Sequence, residues 1–339
     1  MLTSTALAPD GQPFNLAELR NAQGMVVRFM DWGATWISAQ IPQADGHLRE
    51  AILSCGSPER YLQQSAYLGA TVGRYANRIR QAYLTALDCQ LTRNQGPHQL
   101  HGGPEGFSHR RWQQVVHTDK TLVYRLHSAD GDQGFPGNLD IELTLTLSDA
   151  NRLDFCFSAQ SDALTPLSLT NHAYFNLDGA QGDIRAHRLA LHGSSFQPVD
   201  TDGLPDGDCL PVADTAFDFR SPKSLAQDFL ADNFQQITGG YDHAFIIDAH
   251  TIDQPVATLS AADGRLQMDL FSSEPALQLY TGNYLSGTPA SEGEYNNYQG
   301  VALEPGYRPD AANDTPLAGC WLPAGEIRQI CFGYHFISA

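Results

Sequence analysis

Apolar residues recur along this chain mostly at every second position, the period of a strand with one buried face. The alternation is strict in Leu139–Leu147, where Leu139, Ile141, Leu143, Leu145 and Leu147 share a side. After the turn "SDAN", Leu153, Phe155 and Phe157 share a side in the next run, and the pair predicts an antiparallel hairpin. Met25–Ile41 reads as two apolar runs broken at Gly33, and further strands are predicted at 187–193, 243–248, 266–273, 276–285, 300–305 and 328–337. Helical patterns are few: Ser57–Gly69 and Ser221–Asp232, each opening with a Ser-Pro suited to a cap and first turn. Turn clusters such as "GDQGFPGN", "DTDGLPDGD" and "SGTPASEGE" punctuate the chain, with no fixed-period repeat and no low-complexity linker. The pattern predicts an all-β fold, antiparallel sheets packed face to face as one large β-sandwich over residues 1–339, a single domain with a few short helices.

Composition narrows the partners. The 339 residues are 42% hydrophobic, enough for a large core, and carry a net charge of −18. Such a surface repels phosphate backbones and anionic membranes, so neither a nucleic acid nor a membrane partner is expected. No apolar run is long enough to span a bilayer, and the N-terminal stretch lacks the basic and apolar regions of a secretory signal. The six cysteines have no C-x-x-C spacing. A cytoplasmic protein with reduced thiols is the expectation, although an even count leaves disulfides possible.

Candidate chemistry begins with Thr170–Gly179, "TNHAYFNLDG". With period two, Leu167, Leu169, Ala173, Phe175 and Leu177 form a core face, and Ser168, Thr170, His172, Tyr174 and Asn176 form a stripe of hydrogen-bonding groups around an imidazole. In "GVALEPG", Val301 and Leu303 point one way and Glu304 the other; burial there would raise its pKa towards the range useful for proton transfer. Gln278 and Tyr280 share a face opposite Leu277 and Leu279, and Asp242 follows a Gly239-Gly240 pair. Asn77 and Arg78 stand in a run too polar for a core, and His101 precedes two glycines, where backbone can approach a ligand closely. Each residue alone has an ordinary structural explanation: a satisfied imidazole, a solvated strand-end carboxylate, a turn cap, a surface ion pair. Together they make an inventory for binding many hydroxyls, which points to carbohydrate. Dinucleotide, P-loop, H-E-x-x-H and G-x-S-x-G motifs are missing, and no histidines pair at ligand spacing, so no metal site is expected.

The stretches "GRYANRI", "LHGGPEGF", "TNHAYFNLDG", "YDHAF", "QLYTGNYL" and "ALEPGYRPDAAN", in that order between Gly73 and Asn313, resemble the aldose 1-epimerases, and the bacterial galactose mutarotases in particular. With "LAPDGQPFNL" and "MDWGAT" near the start, the resemblance covers essentially the whole chain. It implies a galactose-mutarotase-like β-sandwich, no metal or organic cofactor, and a small aldose as partner of a monomer or homodimer. It also implies that His172 is the acid, that Glu304 is the base, and that Asn77, Arg78, His101, Asp242 and Gln278 are sugar-binding, with Tyr174 a weaker carry-over from the His172 face. One departure is visible: many relatives have Gln two residues after the glutamate, where this chain has Gly306, followed by Tyr307 and Arg308. The expected reaction is ring opening and reclosure of a hexose such as galactose or glucose, with Glu304 ionised and His172 protonated at its start. Alternatives are a hexose-6-phosphate 1-epimerase, with Arg74, Arg80 or Arg308 meeting the phosphate, and a sugar-binding protein without activity. A glycosidase usually needs two carboxylates flanking the bond, whereas the partner of Glu304 here is an imidazole.

Overall fold

The computed structural model describes residues 2–314 and 319–339. Among them, three antiparallel sheets carry most of the strands. A nine-stranded sheet runs in the order Gln113–His117, Thr121–Ser128, Leu139–Leu147, Arg152–Ser161, Ile327–Ser338, Leu266–Ser272, Ala257–Ser260, Arg188–Leu191 and Lys223–Ser224. A six-stranded sheet runs Tyr174–Phe175, Val301–Gly306, Ala276–Tyr280, Asp242–Ile247, Gly193–Phe196 and Leu210–Pro211. The first five strands, Leu2–Leu7, Pro13–Arg20, Val26–Met30, Thr35–Pro42 and Leu48–Glu50, form a third sheet in sequence order. The predicted hairpin is present, with Leu147 opposite Leu153 and Leu143 opposite Phe157.

Alternation along these strands produces one continuous core shared by all three sheets. Trp36 of the five-stranded sheet is its junction. Its ring lies 5.7 Å from Phe155 and 5.5 Å from Tyr334 on the nine-stranded sheet, and 6.0 Å from Phe175 on the six-stranded one. Phe175, Leu277, Leu279, Val301 and Leu303 supply the core face of the six-stranded sheet. The opposite face of that sheet is therefore free to carry chemistry.

Three local expectations need correction. Ser57–Gly69 contains only a short 3₁₀ helix, Pro58–Gln63. Ser221–Asp232 is not helical: Lys223–Ser224 pairs as an edge strand and turns follow. Tertiary contacts override helical propensity there, because the Lys223 ammonium donates to the Ala216 carbonyl at 2.6 Å and sits over the Phe219 ring. The α-helix instead spans Asn233–Thr238, capped by the Asp232 carboxylate accepting from Gln235 N–H and closed by Gly239 at φ 70°. Lastly, Cys156 and Cys331 do not stay reduced. They face one another across adjacent strands of the nine-stranded sheet, with Cα atoms 4.3 Å apart, and form a disulfide. The thiols of Cys55 and Cys320 are pushed up to about 12 by burial, which leaves them inert. No helix among the described residues is long and apolar enough to cross a membrane.

Candidate active site

Thr170–Gly179 is not one continuous strand. Thr170–Asn171 pairs with Thr71–Val72, and Tyr174–Phe175 pairs with Val301–Ala302. The alternation survives the break: Leu167, Leu169, Ala173, Phe175 and Leu177 lie in the core, and His172 and Tyr174 point the other way, into a cavity. Between the two ladders His172 is clamped by its backbone, its N–H donating to Ala70 O at 2.8 Å and its carbonyl accepting from Gly69 N–H at 2.9 Å. Asn171, which interrupts the apolar face, donates to Gly69 O at 2.7 Å and so completes the clamp. Asn176 is structural, its amide serving the carbonyls of Gln181, Gly182 and Gln299.

The floor of the cavity comes from sheet register. Gln278 stands opposite Glu304, Tyr280 opposite Ala302, and Asp242 opposite Tyr280, so Glu304, Gln278, Tyr280, Asp242 and Tyr174 project from one face. Gln278 ties this row together by donating to Asp242 Oδ1 at 2.7 Å. Its own Oε1 is buried and has no hydrogen-bond partner among the described residues.

The facing wall is a short ladder that pairs Arg78 with Leu100. Asn77 and His101 flank it in left-handed conformations, φ 69° and 50°, and lock together: His101 N–H donates to Asn77 O, and Asn77 N–H donates to His101 Nδ1 at 3.1 Å. Because Nδ1 accepts, the neutral ring carries its hydrogen on Nε2. The glycines after His101 do allow a close approach, but to the chain itself: a Cβ on Gly102 would overlap the Gly73 carbonyl.

All eight candidate residues, Asn77, Arg78, His101, His172, Tyr174, Asp242, Gln278 and Glu304, line this one cavity of about 470 Å³. Sequence reasoning missed Tyr67, whose ring lies 4.6 Å from His101 and 6.1 Å from His172, and the loop Asp200–Gly203 at the rim. No periodicity marks either one. The loop was legible only as a turn. Gly306 pairs with Ala276 and packs near Ser168 Oγ; it does not line the cavity.

His172 Nε2 lies 3.4 Å from Glu304 Oε1, with both side chains buried. Burial, reinforced by the Asp242 carboxylate and opposed by Arg78, raises Glu304 to about 8. Burial also lowers His172 to about 4, and lowers His101 well below the ordinary imidazole range. The expected order, glutamate titrating below histidine, is thus reversed in this structure, because desolvation acts on each group more strongly than any opposite charge beside it. At neutral pH burial therefore favours one proton on the pair, held on Glu304 rather than on His172.

Ligand atoms of His101, His172 and Glu304 lie within 4.8 Å of one another, a separation a metal ion could bridge. His101 is a poor member of such a set, since its Nδ1 already accepts from Asn77 and its Nε2 bears hydrogen. Nor are the arginines considered for a phosphate free. Arg74 is buried against the carbonyls of Pro136, Gly137 and Ser128, Arg80 faces Asp200 and Asp310, and Arg308 holds Asp314. The cavity lining holds one arginine, Arg78, against the acidic side chains of Asp200, Asp202, Asp242 and Glu304.

The aldose 1-epimerase family profile matches residues 15–335. The chain is 48% identical to the aldose 1-epimerase of Escherichia coli strain K12, over 100% of both chains. It is 46% identical to the aldose 1-epimerase of Haemophilus influenzae, over 99% of this chain and 98% of the relative. The crystal structure of galactose 1-epimerase from Lactobacillus acidophilus superimposes with a TM-score of 0.87 at 30% identity, covering 100% of this chain and 98% of that one. A full-length match in sequence, together with the same fold, places this chain in the aldose 1-epimerase family, isomerases that act on carbohydrates.

Proposed function

We propose that this aldose 1-epimerase interconverts the α and β anomers of free hexoses by moving protons between the sugar and the pair Glu304–His172. The observation that carries the reading is the pair's geometry: a carboxyl and an imidazole 3.4 Å apart, both buried, on the floor of a cavity lined with hydroxyl-binding groups. In ring opening Glu304 carboxylate takes the proton from O1–H, the O1 electrons form the C1=O1 bond, the C1–O5 bond breaks, and O5 takes a proton from His172. The aldehyde then turns about C1–C2 and the steps reverse on its other face. A positioned base and acid are each worth roughly 10²- to 10⁴-fold.

Opening turns carboxylate and imidazolium into carboxylic acid and neutral imidazole. That is the distribution burial favours, with Glu304 raised and His172 lowered. The low-dielectric floor therefore assists bond breaking by letting two charges cancel as the ring opens. The reactive charge-separated form needs a proton passed from Glu304 to His172 across their short separation, helped by sugar hydroxyls donating to the carboxylate. His101, neutral and presenting Nε2–H, is placed to donate to a sugar oxygen on which charge develops. Asn77, Arg78, Asp242 and the unpartnered Gln278 Oε1 hold the remaining hydroxyls while C1 rotates, and Tyr174 shapes the floor beneath them.

Polarimetry of freshly dissolved α-D-galactose tests the assignment. Wild type should speed mutarotation, and Glu304→Gln should lower kcat by about 10²-fold or more. A variant retaining wild-type kcat would remove Glu304 from the mechanism.

A further inference from the structure

Glycine 203 sits at the tip of the rim loop, in a conformation and at a distance that admit no side chain. Its φ is +75°, and a Cβ built on it would lie 2.7 Å from Arg78 Cζ, 2.8 Å from Nε and 2.9 Å from Nη1. The loop backbone therefore lies directly against the guanidinium. Its shape is fixed from within: Asp200 Oδ1 accepts from the N–H groups of Asp202 and Leu204, each at 3.0 Å, and Gly203 N–H donates to Asp200 O. It is also docked from outside on the wall that carries Arg78. Arg80 donates to Pro205 O at 2.9 Å and faces the Asp200 carboxylate at 3.6 Å, while His98 Nε2 lies 3.4 Å from Asp202. Buried Val199 and Leu204 anchor its base.

By hydrogen bonds Arg78 is held lightly. Its Nε donates to Gln95 Oε1 at 2.9 Å, its Nη1 reaches Asn77 Oδ1 at 3.4 Å, and it makes no ion pair among the described residues. A long cation with so few partners keeps its place only if something blocks its alternatives. We propose that Gly203 is a positioning residue for the reaction: by lacking a Cβ it lets the Asp200–Leu204 loop lie on the Arg78 guanidinium and hold it over the sugar site, facing Glu304.

The proposal rests on Arg78 being a sugar-binding residue. Its reach extends to Glu304, which is faced by Arg78, His101, His172, Tyr174 and Asp242; Arg78 is the cation in this group that holds the carboxyl down. Displacing it should therefore weaken binding and raise the pH at which the pair loses its last proton.

The test is Gly203→Ala, with Gly207→Ala as control. Gly207 lies just beyond that loop, also at positive φ (+81°), but a Cβ there would meet nothing within 4 Å. In Gly203→Ala the KM for galactose should rise about ten-fold, as for loss of a charged hydrogen bond. The alkaline limb of kcat/KM should move to higher pH, and Gly207→Ala should change neither. The Gly203→Ala penalty should vanish in an Arg78→Ala background, since the two act through one group. Asp200→Ala, which frees the loop without adding a Cβ, should shift KM and the alkaline limb in the same direction, and it substitutes for Gly203→Ala if that variant fails to fold. An unchanged KM and limb in folded Gly203→Ala, an equal effect of Gly207→Ala, or additivity with Arg78→Ala would each overturn the proposal. If Arg78→Ala itself leaves KM unchanged, the role given to Arg78 fails; if it raises KM and Gly203→Ala does not, only the positioning role fails.

Discussion

Glu304 and His172 depart from an ordinary carboxylate and imidazole in opposite directions, and the signs fix what pH does. The proposed reaction needs one proton on the pair. Below about 4 His172 also becomes protonated, so both groups are acids and no base remains; above about 8 Glu304 loses its proton, so both are bases and no acid remains. The prediction is a kcat/KM profile that rises through pH 4, stays level across neutrality and falls through pH 8. The limbs belong to the pair, because moving the proton between its members leaves the total unchanged. A profile centred on the ordinary imidazole value, or flat across this window, would contradict the reading.

Individual strands show what the sequence could and could not disclose. Period-two alternation placed Glu304, Gln278 and Tyr174 opposite their apolar neighbours correctly, because a strand leaves a side chain only two directions. Asn77 and His101 depend on left-handed backbone and mutual hydrogen bonds, which no periodicity encodes. Tyr67 and the Asp200–Gly203 loop reach the cavity through tertiary folding alone, and Ser221–Asp232 is held extended by contacts its own residues do not reveal. At this scale Gly69 is the sensitive point. It lies at φ +67°, a Cβ would overlap the Trp36 carbonyl, and its backbone grips both Asn171 and His172. Gly69→Ala should cost about 1–3 kcal/mol and lower kcat, as read from denaturant unfolding and polarimetry. The Cys156–Cys331 bridge spans 175 residues on the half-buried outer face of the nine-stranded sheet, away from the cavity. Reducing it should lower Tm, with a loss of roughly 2–5 kcal/mol, while activity at 25 °C persists. Equal melting with and without reductant would show that the bridge contributes nothing to stability.

For the whole molecule, the net charge of −18 is echoed at the cavity, where Asp200, Asp202 and Asp242 surround a single arginine. A neutral hexose enters such a field without penalty, whereas a phosphate dianion does not. Galactose 6-phosphate should therefore show kcat/KM at least ten-fold below galactose at low salt, and comparable values would restore the sugar-phosphate alternative. The six-stranded sheet has a wider consequence. Tyr174 and Phe175 are neighbours in the chain, one facing the cavity and the other packed 5.0 Å from Tyr334 in the shared core, and Leu303 and Glu304 divide in the same way. Catalyst and scaffold are two surfaces of one sheet of peptide, with no hinge or layer between them. Such an enzyme has no graded way to fail on heating: inactivation and loss of near-ultraviolet circular dichroism should coincide, because the floor of the site cannot melt before the building it belongs to.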